Sequence, residues 1–302
     1  MSSVLYGGKL SPSIKLIMNL NNCVAWINGN ARDDVAMKRR VKLGYEGAST
    51  DHVTHYDEVG TDHFNKIANE LLNGVDLHGK KVLDVGCGTG IASLRALDAG
   101  ASLLVAGDVS DYMLGQFKGK MAARGYGEER VDIRHLDAES LPFEDDSFDV
   151  VFSSMILGLI PNPDKAIGEM MRVVKPGGAI AIATHGFEHY YEAIDAYLRA
   201  VLTIMTPGYR IEYWPMDEKN IARKLTRTGL GNVRTRRLKW KDDFGSGAKA
   251  FDFYMDTTSS WWLTRYQPEQ IAKENERARA YFIRKNIASI TMDVSLAYAN
   301  KM

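Results

Sequence analysis

The chain has 302 residues, enough for one large domain or two ordinary ones with a sizeable core. Apolar residues at 45% and charged residues at 25% are the balance of a soluble globular protein, which excludes a disordered or fibrous one. Lys plus Arg and Asp plus Glu each number 38, so the net charge is zero and no broad footprint for nucleic acid or anionic membrane is expected, a local patch aside.

Two cysteines, Cys23 and Cys87, cannot build a disulfide framework or a four-thiolate zinc site, and they suit a reducing cytoplasm. The best candidate for a membrane span, residues 14–27, is interrupted by Lys15, Asn19, Asn21 and Asn22 and lacks the cleavage site of a signal peptide. No internal repeat or low-complexity tract is present.

Residues 1–75 read as a helical, polar cap. Ile14, Leu16, Ile17, Leu20, Val24 and Ile27 fall near helical spacing, and Phe64, Ile67, Ala68, Leu71 and Leu72 do so again. Between them, Arg32 to Gly60 is charged and glycine-containing and reads as a loop or connector.

From Lys81 the rhythm changes. Short apolar runs at Val82–Val85, Leu103–Ala106, Val131–Leu136, Phe148–Phe152 and Ala179–Ala183 alternate with helical patterns such as Ile91–Ala99 and Ala166–Val174. That alternation predicts a parallel sheet covered on both faces. Pro176-Gly177-Gly178 reads as the turn that ends a helix before the fifth strand.

Beyond Thr184 an aromatic helix, Tyr190 to Ile204, precedes a break at Pro207-Gly208. A helix over Asp217–Gly229, a strand over Val233–Trp240, a helical stretch over 248–286 and an alternating strand over Ile290–Ala299 complete the chain. The expected architecture is α/β: a Rossmann-like, doubly wound, seven-stranded and mostly parallel sheet. It spans residues 76–302, with 248–286 as a helical lid inserted before the last strand.

Lys81-Val82-Leu83-Asp84-Val85-Gly86-Cys87-Gly88-Thr89-Gly90 is a buried strand running into a glycine-rich turn, where the backbone can approach a ligand closely. The dinucleotide fingerprint asks for glycines at positions one, three and six. Gly86 and Gly88 satisfy the first two, but the sixth position is Ile91 and the third glycine comes early, at Gly90. Asp108, 22 residues beyond Gly86, ends the second strand where an acid can bond ribose hydroxyls. This much indicates an adenosine-type cofactor without naming it. Taken singly, Gly88 and Gly90 read equally as turn glycines and Asp108 as a helix cap.

Further elements follow in order: Asp108-Val109-Ser110 with Met113-Leu114, Asp137-Ala138-Glu139-Ser140-Leu141-Pro142-Phe143, Ser147-Phe148-Asp149-Val150-Val151, and Arg172-Val173-Val174-Lys175-Pro176-Gly177-Gly178. This series closely resembles the class I S-adenosylmethionine-dependent methyltransferases, in particular the small-molecule group of the ubiquinone/menaquinone methyltransferase type. The motifs span about residues 80–185; the rest of the chain matches in layout alone.

The resemblance implies S-adenosylmethionine as methyl donor, S-adenosylhomocysteine as product, and no metal. By it, Asp84 and the turn Gly86, Cys87, Gly88 and Gly90 would hold the methionine moiety, Asp108 the ribose and Asp137 the adenine amino group. Ala138 would offer a backbone N–H to the ring, Val109 and Met113 would pack on it, and Ser153 would line the same site. Tyr56-Asp57 resembles the family's short Tyr-Asp element, whose tyrosine approaches the cofactor carboxylate.

The acceptor is less legible. A carbon or hydroxyl acceptor can need a base. His185 in Thr184-His185-Gly186-Phe187-Glu188-His189 is a candidate, with a polar loop histidine as the alternative reading; His52, His55 and His63 are weaker candidates. Ser153-Ser154-Met155-Ile156 replaces the Asn/Asp-Pro-Pro-aromatic motif of amino-methylating nucleic-acid enzymes and the aspartate ligand of metal-dependent catechol-type enzymes. Arsenite methylation would need more thiols.

These features point to a small aromatic or apolar acceptor, no nucleic-acid partner and no membrane span, with a homo-oligomer left open. The run Arg234, Arg236, Arg237, Lys239 and Lys241 reads as a solvated strand face or an anion contact. Phe251, Tyr254, Trp261 and Trp262 read as helix core or as a roof over a substrate. Rival readings are a nicotinamide-dependent oxidoreductase on a related fold, which Ile91 and Asp137-Ala138 oppose, and a catalytically silent cofactor-binding scaffold, which the intact turn opposes.

Overall fold

The computed structural model describes residues 11–29, 33–46, 56–127, 129–201, 215–258 and 267–302. By contacts the chain divides into two units, one of residues 60–185, 216–237 and 294–302, the other of residues 1–59, 186–215 and 238–293.

In the first unit, short runs of Val, Leu, Ile and Ala form the largely buried strands β1 (Lys81–Val85), β2 (Leu103–Asp108), β4 (Phe148–Ser154) and β5 (Val174–His185), with β3 (Val131–His135) more exposed. Two further strands, the mostly exposed β6 (Gly231–Asp243) and the buried β7 (Ser289–Asn300), run through both units. The seven-stranded sheet has the order β3-β2-β1-β4-β5-β7-β6. β1 to β5 are parallel neighbours, and β7 pairs antiparallel to β5 through residues 294–300. Because β1 and β4 are central neighbours reached by opposite windings, their carboxyl ends open the crevice in which α/β folds bind ligands.

Helices α4 (Ile91–Asp98), α5 (Asp111–Arg124), α6 (Pro163–Val173) and α8 (Glu218–Arg227) connect these strands. Their ends are written in local chemistry. Ser110, Asn162 and Asp217 each accept a backbone N–H at the start of α5, α6 and α8, at 3.2, 3.1 and 2.7 Å, and Gly125 stops α5 in the left-handed region. Under β4 and β5 the core gathers Leu83, Val151, Ile167, Met170, Ile180, Ile221 and Leu225.

In the second unit α1 (Pro12–Ile27), α2 (Asp34–Gly44), α7 (Tyr191–Val201), α9 (Gly247–Thr257) and α10 (Pro268–Arg284) are helical; α3 (Tyr56–Leu72) begins here and continues into the sheet unit. Tyr197, Phe251, Phe253, Tyr254 and Phe282 form the core of α7, α9 and α10. The Tyr197 and Phe251 rings stack at 6.5 Å, and Phe251 meets Phe282 edge-on at 5.4 Å.

The structure departs from the sequence reading in four places. Residues 34–44, read as connector, are helical because Asp33 caps Ala36 at 2.9 Å and Met37 and Val41 bury one face. Residues 175–178 do not end a helix before the strand; they are an irregularity inside β5, which pairs Val174 with Phe148 and resumes at Ala179 opposite Val150. β7 is buried on both faces, so alternation is absent: Thr291, Asp293 and Ser295 are buried along with Ile290, Met292, Val294 and Leu296. The apolar positions of α1 do not form one face: Ile14 is buried, whereas Leu16, Leu20 and Ile27 are exposed. His52, His55, Ile204, Pro207-Gly208, Trp261 and Trp262 lie outside the described residues.

Candidate functional site

β1 delivers Asp84 to the carboxyl edge of the sheet with no exposed surface. The Ser93 hydroxyl, early in α4, donates to Asp84 Oδ2 at 2.6 Å, and Oδ1 has no hydrogen-bond partner. Burial pushes the Asp84 carboxyl up to about 7, against the Ser93 bond, and the charge of Asp108 adds to the rise.

The turn that follows is tied to β2, since the N–H groups of Gly86 and Cys87 both donate to Gly107 O, at 2.8 and 3.0 Å. Gly86, Gly88 and Gly90 have φ of 80°, 53° and 85°. A Cβ on Gly86 would strike Ile156 and one on Gly90 the Phe117 ring, but one on Gly88 would meet nothing within 4 Å. Two glycines are therefore demanded by packing. The third leaves its backbone uncovered.

Asp108 closes the arrangement. Its Oδ2 accepts the Gly88 N–H at 2.9 Å and its Oδ1 the Ser110 N–H at 3.0 Å. Burial raises its carboxyl despite these N–H groups, and each oxygen retains a lone pair for a ligand hydroxyl. Cys87 is buried, which pushes its thiol well up and leaves it a turn filler rather than a thiolate. Met113, in the first turn of α5, is buried, and Val109 is half-buried.

Leu136 N–H donates to Asp108 O at 3.0 Å, which brings the end of β3 beside that of β2. Asp137 Oδ1 accepts the Glu139 N–H at 2.9 Å, shaping the turn in which Ala138 is buried. Glu139 in turn accepts the Asn162 N–H at 2.9 Å. The segment from Leu141 to Asp145 is fastened by Arg172, whose guanidinium donates to Leu141 O, Phe143 O and Asp145.

At the end of β4, Ser153 is buried with its hydroxyl unpartnered, and Met155 takes φ 66°, a left-handed conformation rare for a side chain of its size. The chain then turns so that Ile156 fills the space beside Gly86.

His185 ends β5 half-buried, its carbonyl accepting Met216 N–H at 2.7 Å. Burial, and next the proximity of His63, hold its imidazole down at about 3, so the ring is neutral at physiological pH. Tyr56 opens α3 within the helical unit. Among the described residues no three His, Cys, Asp or Glu side chains gather as metal ligands.

Sequence reasoning missed Ser93 and Phe117, and it noted Met155 and Ile156 only as part of the segment that ends the fourth strand, without their roles in shaping the turn. The spacing of Ser93 from Asp84 offered a weak signal; the others depend on packing that no motif records. The basic run lies on β6, where Arg236 pairs with Glu70, Lys239 with Glu188 at 2.8 Å and Lys241 with Glu192 at 3.3 Å. Phe251 and Tyr254 are helix core.

Residues 83–182 match the methyltransferase domain family. The chain is 34% identical over 195 residues to a demethylmenaquinone methyltransferase of Clavibacter sepedonicus, covering 60% of this chain and 77% of the relative. A second demethylmenaquinone methyltransferase, of Renibacterium salmoninarum, is 33% identical over 178 residues, covering 53% and 70%. Among solved structures, a phosphoethanolamine N-methyltransferase 2 of Haemonchus contortus shares the fold at TM-score 0.56 and 18% identity, over 86% of this chain and 60% of that one.

Proposed function

This chain belongs to the class I S-adenosylmethionine-dependent methyltransferases, and we propose that it methylates a small, apolar ring acceptor of the demethylated quinone kind. One observation carries the donor half: the glycine turn after β1 is hydrogen-bonded through Gly88 N–H to the carboxylate that ends β2. The acceptor half rests on likeness to the demethylmenaquinone methyltransferases.

The residues fit S-adenosylmethionine. Asp84 keeps a buried carboxylate oxygen without a partner beside the turn, Gly88 leaves its backbone uncovered, and Asp108 has free lone pairs at a strand end. In our reading Asp84, Gly86, Cys87, Gly88 and Gly90 hold the amino-acid end and Asp108 the ribose. Asp137, Ala138, Val109 and Met113 hold the adenine, with Ser153 lining the same site. When bound, the donor supplies an electrophilic methyl on a cationic sulfur.

The chain's own task is alignment and exclusion of water. The hydrogen bonds from Gly86, Cys87 and Gly88 to β2 fix the turn before ligand arrives. His185, neutral at physiological pH, serves as a hydrogen-bonding group that orients an acceptor hydroxyl and not as a store for its proton.

Methyl transfer from labelled S-adenosylmethionine to a panel of apolar phenols and demethylated quinols tests the reading. Label is expected on a ring acceptor. Tight donor binding with no transfer to any ring acceptor, or turnover on RNA or DNA, overturns the acceptor assignment.

A further inference from the structure

Helix α1 is apolar on two opposite sides. Ile14 and Ala25 are 1% exposed, with Asn21 buried beside them. Leu16, Leu20, Cys23 and Ile27 follow the 4-3-4 spacing that aligns side chains along one face, and all four are exposed, Leu16 to 70% and Ile27 to 82%. Trp26, at the edge of that stripe, is 47% exposed. α1 carries one charge, Lys15. An apolar helix face turned to water is the mark of an interaction surface.

The neighbouring helix supplies the sign of the partner. α2 starts seven residues after Ile27, a reach of at most about 25 Å. It carries Lys38, Arg39, Arg40 and Lys42 against Asp34 alone. Met37 and Val41 are buried, while Val35, Arg39 and Leu43 line the opposite side at four-residue steps, all exposed. The first 46 residues hold seven Lys and Arg against three Asp and Glu, although the whole chain is neutral. The positive excess therefore lies in the same stretch of chain as the apolar stripe, on the next helix in sequence.

We propose that α1 and α2 dock the protein on an anionic lipid surface, with Leu16, Leu20, Trp26 and Ile27 entering the headgroup boundary and the α2 cations meeting lipid phosphates. No helix among the described residues is long and apolar enough to cross a membrane, so the contact lies on the bilayer. A second copy of the chain is the poorer occupant, since it would bring two like-charged α2 helices together. The cations suit phosphates, and the stripe suits acyl chains.

Flotation of the full chain with phosphatidylcholine vesicles, with and without phosphatidylglycerol, tests this. The protein is expected to float with the anionic vesicles and to bind pure phosphatidylcholine or high-salt samples about tenfold more weakly. The double variant Leu16→Glu, Ile27→Glu is expected to stay unbound, and Arg39→Glu to bind about tenfold more weakly, each with unchanged melting temperature and S-adenosylmethionine affinity. An environment-sensitive fluorophore on the exposed Cys23 of the otherwise native chain is expected to shift to the blue on anionic vesicles, a readout that needs no variant.

Absent flotation, flotation that survives the double variant, or a dimer in sedimentation that the double variant dissolves would each overturn the proposal, the last by assigning the stripe to a second copy. The readout is lipid binding and not methyl transfer, so failure of the acceptor reading leaves it untouched.

Discussion

Arg172 and Glu169, one helical turn apart on α6, form a two-pronged pair: Nε donates to Oε1 and Nη2 to Oε2, each at 2.8 Å. Glu169 also accepts Leu141 N–H at 2.8 Å, and the remaining guanidinium donors reach Leu141 O, Phe143 O and Asp145. The pair thus pins the segment that follows the turn carrying Asp137 and Ala138. The ion pair holds the Glu169 carboxyl below and the Arg172 guanidinium above their ordinary ranges. Arg172→Ala is expected to cost about 2 kcal/mol in denaturant unfolding, the loss of charged hydrogen bonds tempered by a partly exposed site. Arg172→Lys should recover little, because an ammonium cannot reproduce the fork.

Gly88 and Gly90 separate binding from folding. Gly90→Ala should destabilise the fold by about 2–4 kcal/mol, adding left-handed strain to overlap with Phe117. Gly88→Ala pays only the backbone strain, about 1–2 kcal/mol, yet its methyl occupies the uncovered flank of the turn. Calorimetric titration with S-adenosylhomocysteine should therefore show a large affinity loss in Gly88→Ala at a temperature where the protein is folded.

Asp108→Ala should weaken S-adenosylmethionine binding by about 1.5–3 kcal/mol through lost charge-assisted bonds. Unchanged affinity in the same titration would remove Asp108 from the ribose role.

Asp84 predicts an unusual pH dependence for the ligand-free protein. Its folded carboxyl, raised to about 7, keeps a proton that the unfolded chain gives up near 4. The folded state therefore binds more protons in this window, and the Asp84 contribution to stability declines as pH rises from about 4 to about 7. Asp84→Asn, which can still accept from Ser93, should gain stability relative to the parent between pH 5 and pH 8. Paired denaturation curves at the two values check the sign.

For His185 the corresponding expectation concerns rate. With its imidazole held at about 3, no step near 6.5 in the pH profile of kcat should belong to it, and His185→Gln should leave the profile's shape unchanged. A step near 6.5 that vanishes in the variant would make His185 the proton store.

The sheet was legible because each buried strand is a short apolar run ending in a turn residue, and Asp84, Gly88 and Asp108 sit at those ends. Two kinds of information were not. α2 is polar by composition, and its helicity rests on the Asp33 cap and two buried side chains, which charge content conceals. In α1, periodicity reported apolar positions without saying which of them pack, since a helix can be apolar on a side nothing covers. Within the site, Met155 and Ile156 matter through backbone conformation and shape, and neither property has a sequence signature.

β6, thirteen residues long, is one of the two edge strands of the sheet, and an edge is where an extended peptide can come alongside. Its Arg and Lys side chains, engaged by Glu70, Glu188 and Glu192, place charge along that border. Another molecule's strand could join only by crowding cations together and breaking those pairs. Replacing Arg236, Lys239 and Lys241 by Thr or Val would keep the strand and remove its guard, and solutions of that variant are expected to cloud on concentration or warming sooner than those of the parent.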